Sequence, residues 1–298
     1  MTNAPIAVIA FKRPDHLKVM LDTLATNEGF TNSKLYIFID GPKTDDDKNG
    51  HLETVEIAEN FPHKDKKIII RDTNLGNKKN VIFSVTEVLK NHERVICLED
   101  DLRISKFFLK FMNDSLEFYS KDKKIFHING WAYPQKINFR NKGVVGTLMC
   151  PWGWATWKDQ WMGFAESEFD KNHFKEDNKD KLREFNFHGT HNFYMQLYNN
   201  DIEKIDTWDI YWYQYIFLQN GLTIFPTISH TQNTGFDGSG DNAGSHNDFD
   251  TPLSVKPTIK FENDIKVDTY NKFITKYFYR KIYVRKFIEY HYNKRIKK

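Results

Sequence analysis

In the first third of the chain, short unbroken apolar runs alternate with stretches whose apolar positions recur every three or four residues. The runs are Ile6-Ala7-Val8-Ile9-Ala10, Leu35-Tyr36-Ile37-Phe38-Ile39, Lys67-Ile68-Ile69-Ile70-Arg71 and Arg94-Val95-Ile96-Cys97-Leu98. Strands of a parallel sheet are covered on both faces and need apolar residues at every position, so these runs predict such strands. Between them lie helical patterns. Leu17, Met20, Leu21 and Leu24 follow the helix-start pair Pro14-Asp15; Leu52, Val55, Ile57 and Ala58 lie in the acidic stretch 44–60; Val81, Val85, Val88 and Leu89 follow the glycine turn Asn74–Asn80. Phe108, Phe111, Met112 and Leu116 form a fourth such set. Repetition of strand and helix predicts an α/β fold with a mixed, mostly parallel central sheet flanked by helices.

The pattern then changes. Ile125–Trp131 reads as a strand with a polar end, and Cys150–Trp157 sets three tryptophans around Gly153, with Trp161 beyond. Trp208 opens an aromatic helix that runs to about Leu218 and stops at Asn220-Gly221, before a strand over Leu222–Pro226. Residues 234–245 are glycine-rich and match no phosphate-cradling fingerprint, leaving a lid over ligand or an inert surface loop. No internal repeat or independent second domain is visible. The expected organisation is one domain over 1–260, in halves 1–105 and 106–260, with a tail over 261–298.

Composition narrows the class. With 298 residues, 40% hydrophobic and 15% aromatic, the chain can build a sizeable core. Two cysteines give neither a disulfide framework nor a zinc site. No apolar run reaches the ~20 residues of a membrane helix, and Met1–Pro5 lacks the regions of a signal peptide, so a cytoplasmic location is expected. The net charge of +3 is uneven: Lys272–Lys298 carries +9, leaving −6 elsewhere. In this tail Phe273, Tyr277, Phe278, Ile282, Tyr283, Phe287 and Tyr290 alternate with basic residues. That predicts a peripheral anchor for an anionic membrane surface at the inner face of the plasma membrane, and no nucleic-acid partner, because the remainder is acidic.

The candidate chemistry is concentrated where the strands end. The fourth run closes in Glu99-Asp100-Asp101. Adjacent carboxylates repel and are costly to desolvate without a cation, and ligands of open α/β sheets bind beyond the carboxyl ends of the strands. Mg²⁺ and Mn²⁺ suit such oxygens together with those of a substrate phosphate. Arg13 lies between a strand end and a helix start, as an anion partner or a solvated loop residue. Asp40 is placed to accept from a base or ribose, or to cap a turn. Lys78 and Lys79 open a helix toward the same crevice, meeting phosphate or solvent. The tryptophans are core, or a stacking surface for sugar rings; Trp154 is the ring assigned to the donor. His230, after the last strand, is a second candidate metal ligand beside Asp101. Asp209 heads the aromatic helix, where a carboxylate suits either the helix dipole or proton transfer.

Together Pro5–Arg13, Glu99-Asp100-Asp101-Leu102 with its Phe-rich helix, Pro151-Trp152-Gly153-Trp154 and Trp208-Asp209 resemble the nucleotide-sugar-dependent glycosyltransferases of the GT-A fold. The likeness covers about residues 5–240. It is nearest to the N-acetylglucosaminyltransferase I-like branch and to bacterial family-2-like enzymes of polysaccharide assembly. The resemblance implies a nucleotide-sugar-binding half over 1–105 and an acceptor-binding half over 106–260. It implies that Asp101 binds Mn²⁺ or Mg²⁺, that Asp100 and Glu99 support metal, ribose or sugar, that Arg13 and Asp40 contact the donor, and that Asp209 is the base. A UDP-sugar would be the donor, and a glycan or lipid-linked oligosaccharide the acceptor. Two departures stand out: one acid follows Trp208 where that branch tends to have two, and the helix after Asn74 lacks its basic and aromatic spacing. A nucleotidyltransferase forming nucleotide sugars is a rival, although Ala10–Pro14 lacks the glycine-rich basic loop it needs. A non-catalytic carbohydrate-binding protein is another, keeping the tryptophans but needing no acidic strand end.

Overall fold

The computed structural model describes residues 3–134, 142–167, 174, 178–238, 248–258 and 260–296. The strands β1 (Ile6–Ala10), β2 (Leu35–Ile39), β3 (Lys66–Ile70) and β4 (Arg94–Glu99) run parallel, with α1 (Pro14–Ala25), α2 (Lys48–Asn60) and α3 (Gly76–Leu89) as their crossovers. Four further strands, β6 (Ile125–Asn129), β7 (Gly143–Gly146), β8 (Trp154–Trp157) and β9 (Leu222–Pro226), extend the sheet to the order β3-β2-β1-β4-β8-β6-β9-β7 among the described residues. β8 pairs antiparallel with both β4 and β6, and β7 antiparallel with β9, while β6 and β9 are parallel. The sheet is thus mixed and mostly parallel, as expected from the apolar runs.

Alternation along β1 shows why those runs are continuous. Ile6, Val8 and Ala10 pack with α1 and with α4 (Phe108–Phe118), while Ala7 and Ile9 face α3 and the aromatic helices of the second half. The second layer holds α5 (Lys158–Ala165), α7 (Phe193–Asp201) and α8 (Asp209–Leu218), with the single turn α6 (Leu182–Phe185) at its edge. Trp131, Trp154, Trp161, Trp208 and Trp212 are all fully buried there.

Four short strands were not legible in the sequence, β7, β8 and two that form a separate ribbon. β5 (Leu102–Ile104) follows the acidic triplet at once and pairs antiparallel with β10 (Thr231–Asn233). This ribbon brings the segment after β9 back over the end of β4.

The long helix α9 (Thr269–Ile296) does not stand apart as the expected tail. Phe261 stacks on Phe111, and Ile274, Phe278, Tyr279 and Ile282 pack into the core, so the 261–298 segment begins inside the domain. The exposed apolar residues of the helix include Phe273, Tyr277, Tyr283 and Phe287, with Tyr270, Val284 and Ile288 beside them; the side chain of Tyr290 lies outside the described residues. No helix among the described residues is long and apolar enough to cross a membrane.

Candidate active site

Strand order sets the site. β1 lies between β2 and β4, so the crossover from β1 leads one way and β4 stands on the other side, the switch point at which open sheets form a crevice. Ile9 is in register with Glu99, which makes Phe11-Lys12-Arg13 and Asp100-Asp101 leave adjacent strand ends together. The Asp100 amide donates to the Ile9 carbonyl at 3.0 Å, extending the ladder by one residue, and the Phe11 amide donates to Asp100 Oδ2 at 3.4 Å.

Arg13 is the N-cap of α1, with Pro14 fixing the first turn. Its Nη2 donates to Asp100 Oδ1 and, at 2.9 Å, to Asp101 Oδ2. Both carboxylates are buried, and among the described residues Asp101 Oδ1 has no hydrogen-bond partner. Burial opposes the charge on Arg13, but Asp100 and Asp101 outweigh it and hold the guanidinium above its ordinary pKa. Burial pushes Asp100 upward against the pull of Arg13. Glu99 is raised to about 8 by burial and then by the charge of Asp101, with Asp100 and Asp209 adding to it and the Trp208 indole opposing.

Asp209 joins this group from the other half of the chain. It opens α8, and Gln196 Nε2 on α7 donates to its Oδ2 at 3.1 Å, with Thr207 a further partner. Burial raises its pKa above the ordinary carboxylate value. The neighbouring Trp208 Nε1 donates to Glu99 Oε1 at 3.4 Å, tying α8 to the end of β4. Beneath this bond Trp208 stacks on Trp154 at 4.9 Å, and Trp154 on His127 at 5.2 Å. His127 accepts at Nδ1 from Trp212 and donates from Nε2 to the Cys150 carbonyl, so its ring is neutral.

The described start of the glycine-rich stretch lies directly on the acids. The amide and hydroxyl of Thr234 donate to the Asp101 carbonyl at 2.7 and 2.8 Å. A Cβ on Gly235 would fall 2.2 Å from Asp101 Oδ2, so only glycine allows this approach. His16 Nε2 lies 3.3 Å from Asp237, fastening the segment to α1. Residues 239–245 of the expected lid lie outside the described residues.

Arg13, Glu99, Asp100, Asp101 and Asp209 therefore converge, whereas other candidates are placed elsewhere. Asp40 is consumed as a cap: its carboxylate accepts from the amides of Gly41, Leu75 and Gly76 at 2.9 to 3.1 Å. The turn it holds needs Gly76, which has φ +77° and sits where a Cβ would meet Asp206. Trp154 is fully buried in the stack and presents no face to a sugar. His230 is a core residue as folded: Nδ1 is bonded to Ser105 Oγ at 2.8 Å, Nε2 to Thr258 Oγ1 at 2.9 Å, and its ring stacks on Phe111. Neither nitrogen is left for a metal, and burial lowers its pKa to about 3. Lys78 and Lys79 line the outer side of α3. Gln196 gave no signal in the sequence, because it matters only through a contact made by the folded chain, whereas Thr234 opens the glycine-rich stretch.

Among the described residues no group of three or more His, Cys, Asp and Glu side chains is arranged as a metal cage. Mg²⁺-type sites are commonly completed by one or two carboxylates, waters and substrate phosphates. The buried, unpartnered Oδ1 of Asp101 fits that kind of shared site.

No family model matches the chain. It is similar to solved structures at low identity. One is S. aureus TarS (21% identity, TM-score 0.31, covering 46% of this chain and 22% of TarS). Another is GalNAc-T7 with UDP, GalNAc and Mn²⁺ (9%, 0.48, 78% and 44%). A third is the mannosyltransferase PcManGT from Pyrobaculum calidifontis with GDP-Man and Mn²⁺ (10%, 0.38, 73% and 71%). The chain thus spans about a fifth of TarS and less than half of GalNAc-T7.

Proposed function

We propose that this chain is an inverting, metal-dependent glycosyltransferase of the GT-A type. It moves a sugar from a nucleoside-diphosphate donor, in the first instance a UDP-sugar, to a hydroxyl of a glycan or lipid-linked glycan. The observation that carries the reading is the unpartnered, buried Oδ1 of Asp101, at the switch point, beside an arginine-bridged carboxylate pair and in the electrostatic reach of Asp209 by way of Glu99.

In this reading Asp209 takes the proton of the acceptor hydroxyl as that oxygen attacks the anomeric carbon. A raised pKa favours this role, since proton transfer is most effective when the base lies near the working pH. Gln196 and Thr207 hold the carboxylate in one orientation. Arg13 keeps Asp100 and Asp101 together. Mn²⁺ or Mg²⁺ held by Asp101 would neutralise charge on the departing diphosphate. Thr234 holds the Asp101 backbone and Gly235 lies against its carboxylate.

The rival readings draw less support. Five of the seven tryptophans are buried, which removes the stacking surface of a simple carbohydrate binder. The turn after β1 holds Arg13 on carboxylates, where a nucleotidyltransferase needs a loop around phosphates.

We further propose a cytoplasmic location with peripheral binding to anionic membrane through the outward face of α9. Phe273, Tyr277, Tyr283 and Phe287 are each more than half exposed, on a helix rich in lysine and arginine. A helix so basic repels its own copy, which favours an anionic surface over a second chain.

The decisive experiment incubates the purified chain with a panel of nucleotide sugars and Mn²⁺ and measures nucleoside diphosphate released to acceptor glycans. Release with one donor, lost in EDTA and in Asp101→Asn, is expected. No release and no donor-dependent rise in melting temperature across the panel would overturn the reading.

A further inference from the structure

The outer side of α3 carries a feature that the transfer reaction does not use. While Val81, Val85, Val88 and Leu89 enter the core, the opposite side of the helix lines an open groove of about 570 Å³. Its walls include Lys78, Lys79, Phe83 and Lys90 from α3, Glu203 from the turn after α7, and Tyr211 from α8. The floor is aromatic and the α3 side of the rim cationic, while Glu203 and Asp201, which accepts from the Tyr211 hydroxyl at 2.8 Å, stand at the α8 end. The Lys78 ammonium lies over the Tyr211 ring at 5.0 Å, and the Arg71 guanidinium over the Phe83 ring at 4.1 Å. Among the described residues no carboxylate pairs with Lys78 or Lys79, and the partner of Lys90 is Glu87, an exposed ion pair that a ligand can replace.

The spacing of the charges decides what fits. Lys78 and Lys90 are twelve positions apart on one helix, about 18 Å along its axis. A small anion would meet one end of the groove and leave the other end with nothing. A linear chain with a charge on each repeating unit would reach both, laying its C–H faces on Phe83 and Tyr211. A nucleic-acid duplex is a poor occupant, because its two dense rows of phosphate need many cations at once and the groove offers Lys78, Lys79 and Lys90.

We propose that this groove binds an extended acidic glycan, a chain of sugars or polyols bearing one phosphodiester or carboxylate per unit. On the transferase reading this chain is the acceptor, entering along α3 beside the turn that Asp40 holds. Binding itself requires neither donor nor metal, so it is measured independently of transfer.

The full chain, in EDTA and without nucleotide, is titrated with a glycerol-phosphate hexamer and in parallel with a galacturonate hexamer. One or both are expected to bind, at least tenfold more weakly at 300 mM than at 50 mM NaCl. The arm that binds more tightly identifies the anion. Lys78→Gln combined with Lys90→Gln is expected to weaken binding by at least tenfold, and Asp101→Asn to leave it unchanged; both lysines are at the surface, and circular dichroism checks that the fold is retained. The proposal is overturned if neither hexamer binds, if the double variant binds as well as the natural chain, or if a dT oligomer of equal charge competes equally. Failure of Asp101→Asn to affect nucleoside diphosphate release would count against the transferase reading alone.

Discussion

Arg13 Nη2 lies 2.9 Å from Asp101 Oδ2 and donates to Asp100 as well, so one guanidinium bridges two buried carboxylates at the ends of adjacent parallel strands. Removing one partner from a buried charged group leaves the others uncompensated. Arg13→Met is therefore expected to lose about 3 kcal/mol of stability in EDTA by urea unfolding, and to regain part of it in Mn²⁺, which supplies the missing positive charge. Unchanged stability in EDTA would mean that Arg13 is not the counter-charge of the pair.

Asp209→Asn is expected to fold and to lose about 10²–10⁴ in turnover while binding donor normally, the worth of a positioned base. Gln196→Leu removes a hydrogen bond to a charged group, expected to cost about tenfold in kcat with the donor KM unchanged. Near-normal turnover by Asp209→Asn would take this residue out of the reaction.

Trp154 acts through packing. Its ring lies between those of Trp208 and His127, so Trp154→Ala should cost about 3–5 kcal/mol of stability. Calorimetric unfolding measures this directly. A stable Trp154→Ala protein with weakened donor binding would restore the ring to the donor site.

His127 and His230 are fully buried, and burial lowers the pKa of each to about 3. Between the unfolded value near 6.5 and about 3, the unfolded chain binds protons that the folded chain does not. Stability contributed by the neutral rings is complete above about pH 6.5 and lost as pH falls, by roughly 1.4 kcal/mol per pH unit for each ring. The melting temperature should drop from pH 6.5 to pH 5, less steeply in His127→Gln. Glu99, raised to about 8, opposes the drop over this range, so the difference between the two proteins carries the test: a His127→Gln profile parallel to that of the natural chain would show that this ring does not resist protonation.

The outward side of α9 should bind anionic vesicles. Replacing Tyr277, Tyr283 and Phe287 together by serine removes exposed apolar surface while leaving Phe278 and Ile282 in the core. Flotation with phosphatidylserine vesicles is expected to fall at unchanged melting temperature. Equal flotation of the triple variant would dismiss Tyr277, Tyr283 and Phe287 as the contact.

β1, β2 and β4 were legible because a strand covered on both faces must be apolar at every position, a local property; β3, at the sheet edge with Ile70 exposed, was legible from its run of three isoleucines. Ile6–Ala10 and Arg94–Leu98 carry that signature without help from the rest of the chain. Glu99, Asp100 and Asp101 were legible for the same reason, as charges that break an apolar run where a sheet ends. β5, β7, β8 and β10 were not, since each is three or four residues long and is a strand only through its partner.

Side-chain roles divided along the same line. For Asp40 and His230 the residue type allowed a ligand role, but burial beside backbone amides and hydroxyls gave each its hydrogen bonds within the protein. Trp154 could have faced a sugar until Trp208 and His127 closed on it. The sequence by itself determined the layered sheet and the acidic end of β4, because periodicity and charge are written residue by residue. Only the tertiary structure decided that Arg13 meets Asp101, that Gln196 holds Asp209 and that the aromatic start of α9 joins the core. Such contacts join positions far apart in the chain, and no local pattern encodes them.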